Sequence, residues 1–128
     1  MNCRFAVILL LFLAGCATPR EHPIAQAPLA ALLPADALLV GEQHDAAEHH
    51  RLERALVETL AARGQLAALV LEMADAGQST ASLTRGADEA DVRTALAWND
   101  AAWPWLSYGP AVMAAVRAGV PVLGGNLP

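Results

Sequence analysis

Three short apolar runs constrain the fold of this chain more than any other feature. They read "ALLV" at residues 37–40, "LAALVLEM" at 66–73 and "VPVLGGN" at 120–126, and stretches with helical patterning lie between them. Almost continuous apolar strands that alternate with helices are typical of a parallel sheet covered by helices on both faces. We therefore predict an α/β fold built on a parallel sheet with covering helices.

The predicted helices carry recognisable start and stop signals. Asp45 and Glu48 have the spacing of a capping box, so a helix is expected from there to about Arg63, with Gly64 as its stop. Its buried face is predicted from a repeat of every four residues, formed by Leu52, Leu56 and Leu60. One or two short helices are expected between residues 79 and 97, and another over about 110–118, ended by Gly119.

The first sixteen residues have the pattern of an export signal. Arg4 precedes the apolar run "FAVILLLFLA", which is too short to span a bilayer as a helix, and Gly15-Cys16 follows. The ending "LAGC" resembles the bacterial lipoprotein signal, so residues 1–15 are predicted to be cleaved and Cys16 to be lipidated. An ordinary secretory signal with an incidental cysteine is the alternative. Ala17, rather than an aspartate, favours the outer membrane, with the protein facing the periplasm.

The segment after the signal is predicted to be a tether rather than part of the domain. Residues 16–35 contain four prolines and no period, so the folded domain is expected over residues 36–128. Cys3 would leave with the signal and Cys16 would carry lipid, which excludes zinc ribbons and redox motifs. The mature form would hold seven arginines against thirteen acidic residues, a formal net charge of −6, so nucleic acid is not an expected partner.

Polar residues follow the ends of all three predicted strands. Glu42 and His44 come after the first run, Glu72 ends the second, and Asn126 ends the third. Ligands bind beyond the carboxyl ends of the strands in open parallel sheets, so these groups are expected at one edge. Glu42 and Glu72 could act as an acid/base pair, or bind a divalent cation together with His44. A purely structural role for Glu72, as a helix cap or arginine partner, is the alternative.

Two further groups lie close to this predicted edge. His49 and His50 are about 100° apart on a helix; His49 is expected on the buried side near the site, and His50 in solvent.

All aromatic residues after the signal fall in one segment: Trp98, Trp103, Trp105 and Tyr108. They are expected either to pack onto the sheet or to wall a pocket for a flat apolar ligand.

Four motifs together resemble one protein family. "LLVGEQHDAAEHHR", "LVLEM", "WNDAAWPWLSYGPAV" and "GVPVLGGNLP" are similar, in order and spacing, to the ChaN-like haem-binding lipoproteins of the Tiki and erythromycin-esterase-like grouping, over about residues 37–128. The resemblance implies haem binding in bacterial iron uptake, by a homodimer that encloses haem between its subunits. Family members are about twice as long, so the chain is expected to be an amino-terminal half with an incomplete sheet.

The resemblance leads to two hypotheses from different classes. The first is a lipid-anchored haem-binding protein, with candidate cofactor contacts at Glu42, His44, His49, Glu72, Tyr108 and Asn126. With cysteine gone, a phenolate, imidazole or thioether would hold the iron, and Tyr108 is the only phenol. The alternative is a metal-dependent hydrolase using Glu42, His44 and Glu72, as distant relatives imply. Binding is favoured over catalysis, and a structural lipoprotein without a ligand is a third hypothesis.

Overall fold

The fold is described here from a computed structural model, which describes residue 29 and residues 31–127. The predicted signal peptide, Cys16 and most of the predicted tether lie outside the described residues. The regular elements are helix α1 (Ala47–Ala62), strand β1 (Leu69–Asp75), helix α2 (Glu89–Ala95), helix α3 (Trp105–Ala118) and strand β2 (Val122–Asn126). The predicted α/β class is confirmed: in the described part of the chain, two parallel strands pack with the three helices named above.

Strands β1 and β2 pair in parallel, with Leu69 opposite Val122 and Leu71 opposite Gly124. The register then shifts, and the next pair is Asp75 with Asn126, so two extra residues of β1 are accommodated near its end. On its other edge β2 forms an antiparallel bridge between Leu123 and Ser79. β2 is thus the inner strand of the described sheet, and β1 lies at its edge.

The first apolar run does not form the strand that its composition predicts. Residues 37–40 have no regular secondary structure, and Leu39 and Val40 are 96% and 52% exposed. An apolar run becomes a strand only when a neighbouring strand supplies the hydrogen-bonded ladder. No described residue pairs with this run, so the prediction of a third strand is wrong for this part of the chain.

Helix α1 ends as predicted but begins and packs differently. Gly64 has φ +65°, the left-handed conformation that ends a helix. The residue before the helix is Ala46, without a side-chain cap, so the predicted cap at Asp45 does not form. Of the predicted buried face, Leu60 is confirmed as buried, Leu56 is half-buried and Leu52 is exposed. The other buried residue of the helix is Val57.

Helix α3 begins at Trp105, five residues before the predicted start at Pro110. The cause is Asp100, whose Oδ1 accepts a hydrogen bond of 2.7 Å from the Trp105 N–H and so satisfies a free donor of the first turn. Pro110 therefore lies inside the helix. The stop at Gly119 is confirmed, since this residue has φ +79° and its N–H bonds to the last carbonyls.

Helix α3 is the centre of the hydrophobic core. It packs against α1 along one side and contacts α2 and β2. Val112 of α3, Val92 of α2 and Val122 of β2 are completely buried in the same cluster. This packing brings Tyr108 of α3 next to the segment that precedes α1.

No helix in the described part of the chain is long and apolar enough to cross a membrane.

Candidate functional site

Glu42 is the centre of a cluster of polar side chains between α1 and α3. Its side chain is only 6% exposed, although it follows an exposed loop. Its Oε1 accepts a hydrogen bond of 3.0 Å from the Tyr108 hydroxyl and lies 2.7 Å from Nδ1 of His44. Its Oε2 lies 3.3 Å from Nε2 of His50. A buried carboxylate of this kind needs such partners to compensate for lost hydration.

Local hydrogen bonding folds the Glu42 segment onto the start of α1. The N–H of Gln43 donates to Nδ1 of His49 at 3.0 Å, and the N–H of Ala46 donates to the Gln43 carbonyl at 2.9 Å. These bonds turn the chain immediately before the helix. Glu42 consequently faces His50 in the first turn of α1, whereas His44 faces Trp103.

His44 is the exposed member of the cluster, with 48% of its side chain accessible. When Nδ1–H donates to the Glu42 carboxylate, Nε2 keeps its lone pair, and Nε2 has no hydrogen-bond partner among the described residues. The ring meets Trp103 edge-on, with centroids 4.9 Å apart at 73°. The hydrogen bond to Glu42 raises the pKa of His44, and the charges of nearby acids act in the same direction.

His50 lies inside the cluster, against the prediction that it faces solvent. Its side chain is 10% exposed and its ring is tilted against that of Tyr108, with centroids 4.9 Å apart. Its Nε2 and the Oε2 of Glu42 are both buried, and neither makes an aligned hydrogen bond within the described residues. The prediction fails because Val57 and Leu60, rather than Leu52, define the buried side of α1.

Glu53 is a member of the cluster that the sequence analysis missed. Burial raises the pKa of its carboxyl group to about 7, and the charge of Glu42 and a hydrogen bond with Glu42 add to the effect. Near neutral pH, Glu53 can therefore share a proton with Glu42. The spacing of His50, Glu53, Val57 and Leu60 along one face of α1 was the available signal.

The cluster favours the ionised form of Glu42 and the neutral form of Tyr108. Burial opposes ionisation of Glu42, but hydrogen bonds from His44, Tyr108 and Glu53 outweigh it, and the pKa of Glu42 is lowered. Burial raises the pKa of Tyr108 strongly, and its bond to Glu42 raises it further. Tyr108 is therefore a phenol that donates to a carboxylate.

The remaining predicted site residues lie at different distances from the cluster. Glu72 is exposed in the middle of β1, and its charge helps to raise the pKa of His44. His49 is half-buried and accepts the Gln43 N–H. Asn126 donates to Oδ1 of Asp75 at 2.9 Å across the carboxyl ends of the strands, and makes no contact with the Glu42 cluster. The carboxyl group that bonds to Glu42 is thus Glu53, not Glu72.

The tryptophans form an aromatic wall around Tyr108. Trp98 and Trp103 both contact the Tyr108 ring, with centroids 6.0 and 5.9 Å away. The indole N–H of Trp98 donates to the Trp103 carbonyl at 2.8 Å, and Trp105 is buried against Trp98. The expectation that this segment packs onto the fold is confirmed for Trp105, which lies in the core. Trp103 lies beside the exposed His44, and a pocket for a flat ligand stays a prediction.

Two other features limit what this site can bind. A cavity of about 130 Å³ lies elsewhere, lined by residues such as Thr80, Leu83 and Val116, and shares none of its lining with the Glu42 cluster. Among residues 29 and 31–127, no three His, Cys, Asp or Glu side chains are arranged to hold a metal ion. The His44 side chain, 48% exposed, is the part of the cluster that is open to solvent.

One comparison with known proteins identifies the family of this chain. The family model described as "haem-binding uptake, Tiki superfamily, ChaN" matches residues 29–128, which is most of the chain. Comparisons with curated proteins and with solved structures each gave no match. By the extent of the family match, the chain belongs to the haem-binding uptake family of the Tiki superfamily, ChaN.

Proposed function

We propose that this protein binds haem at the open face of the Glu42 cluster, with Nε2 of His44 as the iron ligand. The observation that carries the proposal is the 2.7 Å contact between His44 Nδ1 and the buried Glu42 carboxylate. Histidines that bind metals usually donate their other ring N–H to a carboxylate or carbonyl, which fixes the tautomer and the ring orientation. His44 has this second partner in place, and its side chain is 48% exposed.

The environment of Tyr108 supports an imidazole rather than a phenolate ligand. A phenolate would have to form beside the ionised Glu42, inside a buried cluster that raises the pKa of Tyr108. Its hydroxyl is also the donor to Glu42 Oε1. We assign Tyr108 the role of holding Glu42 and His44 the role of iron ligand, with Tyr108 as the alternative ligand.

The aromatic side chains beside His44 would supply the apolar surface for the porphyrin. Trp103 contacts the His44 ring directly, and Leu106, in the first turn of α3, is 90% exposed. An open face covers only one side of a haem. A second copy of the chain, as the family resemblance implies, would cover the other side, so we propose that haem is held between two subunits.

The proposed cellular role is haem uptake by a lipid-anchored protein of the outer membrane that faces the periplasm. The sequence "LAGC" and the proline-rich segment after Cys16 support it. A Cys16→Ser variant should leave the membrane fraction and retain its signal. Normally processed Cys16→Ser protein in the membrane fraction would contradict the anchor, while haem binding would remain a separate question.

The family description names haem binding, so we propose a binding protein in preference to the alternative, a metal-dependent hydrolase using Glu42, His44 and Glu72.

Titration with hemin, followed by the Soret band, tests the proposal. The wild-type protein should give a saturable shift, and His44→Ala should weaken binding by at least the roughly 10- to 100-fold that loss of an outer-shell partner costs. Glu58→Gln is the control and should bind as the wild type does, because Glu58 is exposed on α1 and pairs with Arg54. Equal affinities for His44→Ala and the wild type would remove His44 as the ligand.

A further inference from the structure

We propose that two copies of this chain associate by strand addition, in which residues 37–40 of each copy join the open edge of β1 in the other copy. The proposal does not depend on haem binding, so its tests are made without haem. It assigns one partner to two surfaces that the fold leaves uncovered.

The outer side of β1 is the open edge of the described sheet. β2 is covered on both of its sides, by β1 and by the segment after β1, where Ser79 bridges Leu123 and the Thr80 N–H donates to the Val122 carbonyl at 2.9 Å. In the described part of the chain, β1 has a neighbouring strand on one side only. An open edge presents unpaired N–H and C=O groups, and these can pair with an added strand.

The first half of this edge lacks the features that usually protect an edge strand. Such strands are commonly guarded by lysine, proline, charged side chains or bulges. β1 reads "LVLEMAD", without lysine or proline, and its register shift and both of its acids come after Leu71. Before that point the strand is apolar and regularly paired, and Val70 is 60% exposed. This half of the edge is therefore open to a further strand.

Residues 37–40 are the segment of the chain that fits this edge. They read "ALLV", an uncharged apolar run, and their backbone makes no hydrogen bond to any described residue. Leu39 and Val40 are 96% and 52% exposed. Addition to a strand edge supplies main-chain hydrogen bonds and covers alternate side chains. It would therefore pair the backbone of the run and take apolar surface out of water.

A second copy is the partner that completes both surfaces at once. Within one chain the run does not pair with β1, and the segment after it is held at α1 and α3, where Glu42 contacts His50 and Tyr108. When two copies exchange their runs, each run meets an edge and each edge receives a run. The same contact is then made twice, so the association is symmetric and closes at two copies.

Sedimentation of the purified full chain in detergent, without haem, tests the association. The wild type should be a dimer, and Leu39→Lys and Val70→Lys should each weaken dimer formation about tenfold or more, because a charge replaces an apolar side chain that association buries. Leu106→Lys is the matched control and should dimerise as the wild type does, since Leu106 is 90% exposed but lies on α3. A monomeric wild type, or equal effects of all three substitutions, would overturn the proposal.

Cross-linking identifies the two segments without introducing a charge. Chains with Leu39→Cys and chains with Val70→Cys, both also carrying Cys3→Ser and Cys16→Ser to remove the natural cysteines, are mixed and treated with a short bismaleimide. They should form a mixed dimer, which requires contact between copies. Leu39→Cys mixed with Glu58→Cys should not, because Glu58 is exposed on α1, outside both segments. Absence of the mixed dimer, or cross-linking only within a chain that carries both cysteines, would overturn the proposal.

Discussion

The hydroxyl of Tyr108 lies 3.0 Å from Oε1 of Glu42, although 66 residues separate them in the chain. This bond joins the first turns of α3 to the loop before α1 and holds the carboxylate that contacts His44. Residues far apart in the sequence thus build one site, and the packing of two helices positions it.

Tyr108→Phe should destabilise the protein because it removes the hydroxyl donor to a buried carboxylate and keeps the ring. Hydrogen bonds to charged groups contribute about 1.5–3 kcal/mol, and the free energy of unfolding should fall by that amount. Urea denaturation measures it, with Ser107→Ala as the control, since the Ser107 hydroxyl has no hydrogen bond among the described residues. Equal losses for both variants would show that the bond is not stabilising.

Stability should fall as the pH rises from about 4.5 to about 7, because of Glu53. Its pKa in the folded protein is raised from 4.5 to about 7, so the folded state keeps a proton that the unfolded chain has already lost. Glu42 contributes stability that is lost only as the pH falls through its lowered pKa, below 4.5. His44 contributes stability that is lost only as the pH rises above 6.5, through its raised pKa. Between pH 4.5 and pH 6.5, the change in stability therefore reports on Glu53.

Melting temperatures at about pH 5 and about pH 6.5 check this assignment. The wild type should melt at a lower temperature at the higher pH, and Glu53→Gln should show a much smaller difference. Glu58→Gln, on the exposed side of the same helix, should behave as the wild type. The same pH dependence in Glu53→Gln and the wild type would contradict the role of Glu53.

Gly124→Ala should disrupt the pairing of β1 with β2. A Cβ on Gly124 would overlap the carbonyl oxygen of Asp75 and lie 2.8 Å from that of Ala74, and backbone atoms cannot move aside as a side chain can. Overpacking of this kind costs about 1–3 kcal/mol or more. Gly86→Ala is the matched control, because its Cβ would meet only Thr84 Oγ1, at 3.9 Å. Denaturant unfolding should give a lower free energy of unfolding for Gly124→Ala than for Gly86→Ala. Equal free energies for the two variants would contradict the close approach of the strands.

Local sequence signals predict the parts of the fold that depend on local chemistry. The glycines at 64 and 119 end their helices, and the parallel pairing follows from two apolar runs joined by helices. The run at residues 37–40 has the same composition but no neighbouring strand among the described residues, so it stays irregular. Composition shows that a run can enter a sheet, but strand formation requires a partner elsewhere in the chain.

The site was only partly predictable from the sequence, because it too depends on which elements pack together. Glu42 and His44 stand out by their position after an apolar run, and Tyr108 by being the only phenol. Glu53 and His50 do not stand out in the sequence. The leucines at every fourth position suggest a buried face of α1 that includes Leu52, whereas the buried face in the structure includes Val57. Only the packing of α1 on α3 selects the face that carries His50, Glu53 and Val57.

The central claim, that His44 binds the haem iron, is tested most directly by replacing its side chain with free imidazole. In His44→Gly, the hemin complex should lose the wild-type Soret position and ferric electron paramagnetic resonance spectrum. Added imidazole should restore both, because it can enter the space of the missing ring and bond to Glu42 as the side chain does. A wild-type spectrum for His44→Gly without imidazole would contradict the claim.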